Sequence, residues 1–134
     1  MQRFGVLLLL ALAGCASMRT APQPSPPPYV VFFQNDSVAI SRQAAFIINR
    51  AAVDANRHAT KVVEVAGPST KKTKHYNPGL AEPRMVAVER ALAAAGVDEA
   101  RIVQTSLPPP SAKLKEDATS AQRVEIRVLD KPSS

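Results

Sequence analysis

Apolar residues recur along this chain with two different periods, and the switches between them mark out its elements. Residues 29–33, YVVFF, form a short β-branched and aromatic run that reads as a buried strand. The Ser41 hydroxyl then suits a helix N-cap. After it, Ala44, Ile47, Ile48, Ala51 and Ala55 return at helical spacing, so a first helix buries one stripe. Residues 61–66, KVVEVA, give a second strand that Gly67-Pro68 stops. A polar loop follows over 69–79. A second helix is expected over 81–95, with Ala81, Met85, Val88, Leu92 and Ala95 on its inner stripe, Pro83 in its first turn and Gly96 at its end. Residues 101–107, RIVQTSL, make a third strand, which Pro108 to Pro110 break. A charged loop over 111–121 leads to a last strand at 122–129, where Val124, Ile126 and Val128 alternate with Arg123, Glu125 and Arg127. Such alternation predicts one covered face and one in water. The order βαβαβ plus a final strand predicts an α+β domain whose helices pack on one face of a mixed sheet.

The N-terminal residues do not follow this alternation. Residues 16–28, ASMRTAPQPSPPP, hold five prolines, which fix φ and lack a donor, so 22–28 are expected to form a semi-rigid polyproline II spacer. At about 3.1 Å per residue the whole linker reaches roughly 40 Å; the other reading is a disordered tail with no spacing role. Ahead of it, Arg3 gives a positive flank to an apolar run over 6–13, and Ala13 and Gly14 lead into Cys15. That run is too short for a permanent span, which needs about 20 apolar residues, and its flanks suit an export signal. Leu12-Ala13-Gly14-Cys15 resembles the cleavage site of bacterial lipoproteins. The resemblance implies cutting before Cys15, a diacylglyceryl group on its sulfur and acylation of the new amino terminus. Ala16, in place of the Asp that retains enterobacterial lipoproteins at the inner membrane, implies sorting to the outer membrane. An ordinary secretory signal, or a short buried apolar segment with a chance cysteine, is the alternative. The organisation expected is a signal over 1–14, a lipidated Cys15 with a Pro-rich linker over 15–28, and a periplasmic domain over 29–134.

The formal charge of +6 would raise nucleic acid as a partner for a cytosolic protein. Export argues against it and points instead to anionic lipids or acidic wall polymers. Cys15 is the only cysteine, so no disulfide forms within the monomer and the core must hold the fold. With no Trp, two Tyr and four Phe, that core is expected to be aliphatic. Catalysis has little to stand on. His58 and His75 lie outside metal-ligand spacings, no free thiol remains once Cys15 is acylated, and no Gly-x-Ser-x-Gly elbow occurs. No enzyme activity and no cofactor are expected.

Five strings, in the right order across 29–129, carry a further resemblance: FFQNDSVAIS (32–41), VVEVAG (62–67), YNPGLAEPRMVAV (76–88), AAAGVDEARI (93–102) and RVEI (123–126). They are similar to the C-terminal domain of outer membrane protein A, the OmpA-like peptidoglycan-binding family. The resemblance implies non-covalent binding of the diaminopimelate side chain of peptidoglycan. In the family, an aspartate of a Gly-His-Thr-Asp loop engages the amine, and a helix-start arginine engages the carboxylate. A zwitterionic end group needs one anion and one cation close together, and a guanidinium fork at a helix start suits the carboxylate.

By that resemblance Arg84 stands at the arginine position and Asn77 at the asparagine position. The amine half departs from the pattern. Pro68, Ser69 and Thr70 stand where His, Thr and Asp would be, and Gln34 replaces an acidic residue after the first strand. Ala81 replaces a serine cap, and Lys71, Lys72, Lys74 and His75 crowd the loop with positive or protonatable groups. The expected ligand residues are Arg84, Asn77, Thr70, Ser69 and Gln34. For Arg84 the other reading is a surface arginine paired with Glu82 or solvent, and for Asn77 a turn or cap residue. The lysines read as a solvated loop or an anion-binding patch, and Asp36 or Glu82 could supply the missing acid. The function implied is an outer-membrane lipoprotein that links the envelope to peptidoglycan through a degenerate diaminopimelate site. The alternative is an OmpA-like module that has lost wall binding and takes a protein partner of the envelope or an acidic polymer.

Overall fold

The computed structural model describes residues 25–107 and 121–133. The signal segment, Cys15, most of the linker and nearly all of the charged loop over 111–121 lie outside the described residues. The elements are strand β1 (Tyr29–Phe32), helix α1 (Arg42–Arg57), strand β2 (Val62–Gly67), helix α2 (Ala81–Ala94), and strands β3 (Ile102–Ser106) and β4 (Arg123–Leu129). Short 3-10 turns at Pro78–Leu80 and Glu99–Arg101 lead into α2 and β3. Each boundary falls within a residue or so of the position expected. Phe33 leaves the strand yet still donates its N–H to the Gln122 carbonyl at 2.8 Å.

One mixed sheet has the order β1-β4-β2-β3. β4 runs antiparallel to both its neighbours, and β2 and β3 are parallel. The last strand in sequence is thus a central one, and α1 and α2 cover the same face of the sheet, against β1, β2 and β4. Val31, Val63, Val65, Val124 and Ile126 line that face at 0 % exposure, against Ile48 of α1 and Val88 and Leu92 of α2. The core is aliphatic, as the composition requires, with Phe33 at its rim. Ala44, Ala51, Ala52 and Ala55 form most of the buried side of α1. Their small size lets the helix lie close to β1 and β4.

The helix ends are closed by local chemistry. Ser41 Oγ accepts from the Ala44 N–H at 3.1 Å, as its position suggested. Gly96, at φ +96°, ends α2 in the left-handed region, and Val97 N–H returns to the Leu92 carbonyl. The end of α1 is tied from a distance: Arg101 Nη2 donates to the carbonyls of Ala55 and His58, and its Nε to that of Lys61.

The far face of the sheet departs from the expectation of open water. Arg123, Glu125 and Arg127 are half-buried, with Glu125 3.8 Å from both arginines. Glu64, across from Arg127, is buried because the C-terminal residues fold over it. Ser133 donates both its backbone N–H and its hydroxyl to Glu64 Oε2. The tail residue Ser133 thereby covers Glu64 on the polar face of β2.

Candidate functional site

The site begins with a turn after β1. Asp36 has φ +55°, a left-handed conformation that Asp tolerates better than most residues, and Ser37 N–H closes on the Gln34 carbonyl at 3.2 Å. This turn aims the carbonyls of Gln34 and Ser37 inward, where the second helix begins. Arg84 meets them. Its Nε donates to the Ser37 carbonyl at 2.8 Å and its Nη2 to the Gln34 carbonyl at 3.0 Å. The guanidinium lies 5.1 Å from the centre of the Phe33 ring, on whose face a cation is attracted.

Arg84 is 1 % exposed, which corrects the surface-arginine reading: it does not pair with Glu82 or with solvent. A buried cation persists here because two carbonyl dipoles and an aromatic face replace water. Burial pulls its pKa below the ordinary arginine value, and the nearby Tyr76 and Asp36 oppose that shift. Arginine still carries its charge at neutral pH. Its third nitrogen, Nη1, is buried without a hydrogen-bond partner.

Of the other expected residues, Gln34 joins Arg84 through its backbone, while its side chain is exposed. Asn77 Oδ1 accepts from the Gly79 N–H at 2.9 Å and so caps the 3-10 turn that feeds α2. Leu80, not Ala81, stands at the N-cap of α2 and gives no side-chain bond; Ala81 is the first residue of the helix. Ser69 donates to the Leu107 carbonyl at 2.7 Å, which ties the loop after β2 to the end of β3. Thr70 is half-buried in that loop, and Lys71, Lys72, Lys74 and His75 are exposed around it.

The structure adds residues that were not singled out. Phe33 and Ser37 form the cradle of the guanidinium, and Tyr76 is buried close enough to act on it. The Gln122 side chain donates to the His75 carbonyl at 2.7 Å, pinning the loop against the start of β4. A signal for Arg84 was present in the sequence. It precedes Val88 by four and Leu92 by eight, so it shares their inward stripe. Among the described residues no group of three or more His, Cys, Asp or Glu could hold a metal ion. None of the described helices is long and apolar enough to cross a membrane.

No protein-family model matches the chain, and no curated protein does. Solved structures do. The peptidoglycan-associated lipoprotein of Burkholderia pseudomallei is 27 % identical with a TM-score of 0.56, over 75 % of this chain and 88 % of that one. The OmpA-like domain of FopA1 from Francisella tularensis is 21 % identical at a TM-score of 0.60, over 74 % and 71 %. A periplasmic domain of Helicobacter pylori MotB is 21 % identical at 0.56, over 74 % and 69 %. The domain described here has the OmpA-like fold, an α+β sheet with both helices on one face.

Proposed function

We propose that this chain is an outer-membrane lipoprotein, anchored through Cys15, whose periplasmic domain associates non-covalently with peptidoglycan. The observation that carries the reading is Arg84: two carbonyls and a ring fix its guanidinium, and Nη1 is left as a buried donor with no partner. An unsatisfied buried donor costs about 1–3 kcal/mol, and a carboxylate answers it with a charge-assisted bond. The similarity to a protein named as peptidoglycan-associated supports the same ligand class. Because Nη1 is shielded from water, entry of a stem-peptide carboxylate requires the groups over it to move aside.

The amine of a diaminopimelate end meets a weaker partner. Thr70 is neutral, and Ser69 is already engaged with Leu107. The site is therefore degenerate on its acidic side. The neutral Thr70 among exposed lysines also favours the second reading, an interaction module that has lost the wall. Co-sedimentation with purified sacculi separates the two. The chain is expected to pellet at low salt, and Arg84→Met, checked for folding by circular dichroism, to remain in the supernatant. A folded parent chain that stays in solution at low salt overturns wall binding and leaves the module. Mass spectrometry of the native product tests the anchor: an unmodified Cys15 thiol refutes it.

A further inference from the structure

Helix α1 presents two kinds of surface. Its inner side carries Ala44, Ile48, Ala51, Ala52 and Ala55, whereas two further apolar residues face outward: Phe46 is 61 % exposed and Val53 51 %. Arg42, Arg50 and Arg57 are exposed along the same flank, so Arg42, Phe46, Arg50, Val53 and Arg57 follow one another every three or four residues. At 1.5 Å per residue this row is about 22 Å long. None of the three arginines has an ion-pair partner among the described residues. The helix holds a single acid, Asp54, which accepts from the Tyr29 hydroxyl at 3.1 Å and lies 3.2 Å from His58 Nδ1. A shallow depression of about 380 Å³ runs beside the row, walled by Tyr29, Phe46, Arg50, Val53 and Arg57 among others.

We propose that this flank of α1 is a docking surface for an anionic lipid bilayer, on which the domain lies when it is not engaged elsewhere. An exposed helix flank on which three arginines alternate with two protruding apolar side chains fits a plane of phosphate headgroups. Arginine stems bury against acyl boundaries while their heads stay at the phosphates. The chain also enters the domain on this side, because Tyr29, the first residue of β1, bonds to Asp54 of the same helix. A linker coming from a membrane at Cys15 thus arrives beside the arginine row. The inference uses the proposed anchor only to bring the domain to the bilayer, and it is independent of wall binding.

The sequence contains no tryptophan, so F46W in the full chain places one reporter on the row. The vesicles are acyl-brominated phosphatidylcholine, with or without phosphatidylglycerol. Flotation with the neutral vesicles reports the anchor; quenching and a blue shift of the tryptophan report docking. Quenching is expected only where phosphatidylglycerol is present, reversed by salt. Replacing Arg42, Arg50 and Arg57 by Gln should weaken docking roughly fivefold per charge. If the chain floats and the reporter stays quenchable by acrylamide and unquenched by bromine in both vesicles, docking is refuted while the anchor stands. Failure to float with neutral vesicles refutes the anchor instead, and docking is then read from quenching in the anionic ones. An unquenched reporter combined with capture by polyglutamate overturns the lipid surface in favour of an acidic protein partner.

Discussion

Replacing Arg84 by methionine isolates the polar part of what that side chain does, because the thioether retains most of the buried stem. Two hydrogen bonds from a charged donor are lost, to Gln34 and Ser37, at about 1.5 kcal/mol each. The contact with the Phe33 ring adds about 0.5–1 kcal/mol. Against these, the unpaired Nη1 disappears and returns about 1–3 kcal/mol. The net loss is about 2 kcal/mol for Arg84→Met. For Arg84→Ala, which also removes buried methylenes at about 0.8 kcal/mol each, it is about 4 kcal/mol. In a domain of this size 2 kcal/mol lowers Tm by roughly 8–16 °C. Thermal unfolding followed by far-ultraviolet circular dichroism, with urea titration at 25 °C, measures it. An Arg84→Met domain that melts within about 2 °C of the parent would refute the carbonyl clamp as a source of stability. If that variant also lost sacculus binding, the arginine would serve the ligand alone.

Three further outcomes follow from the same geometry. Thr70→Asp puts an acid where the resembling family carries one and should strengthen capture of a diaminopimelate-containing peptide several-fold by isothermal titration; an unchanged affinity argues against this loop as the amine subsite. Ser41→Ala removes the bond to Ala44 N–H and should cost about 1 kcal/mol in urea unfolding, whereas a loss below ~0.3 kcal/mol would show that water caps α1 equally well. Burial, together with the hydrogen bond to Asp54, raises the Tyr29 pKa above 10.0. The folded state therefore holds this proton more tightly than the unfolded chain does. That stability is present below pH 10 and is lost as pH rises through the raised value. Tyr29→Phe should flatten the alkaline limb of the stability profile, and identical limbs would contradict the pairing.

Much of the fold was legible because its signals are local. Ser41, Gly96 and the alternation of Val124, Ile126 and Val128 act within one turn or one strand, so their spacing alone sets a cap, a stop and an inward face. The candidate site was less legible. The sequence put Arg84 in a helix start, but its state depends on carbonyls 47 and 50 positions away. Asn77 and Ser69 stand at ligand positions by resemblance alone, and in the structure their side chains bond to Gly79 N–H and the Leu107 carbonyl. A short polar side chain in a loop bonds to whichever backbone group the fold brings near, and spacing does not record that choice.

By itself the sequence determined the elements, their order, the aliphatic core and the sharing of one sheet face by both helices. Periodicity encodes which side of an element avoids water, and composition limits what can fill the interior. Only the tertiary structure decided that the last strand enters the middle of the sheet, between β1 and β2. It alone decided that a C-terminal serine covers Glu64, and that a guanidinium is buried against two carbonyls and a ring. Each of these joins residues distant in the chain, and the free energy that selects them exists only once the intervening chain has closed.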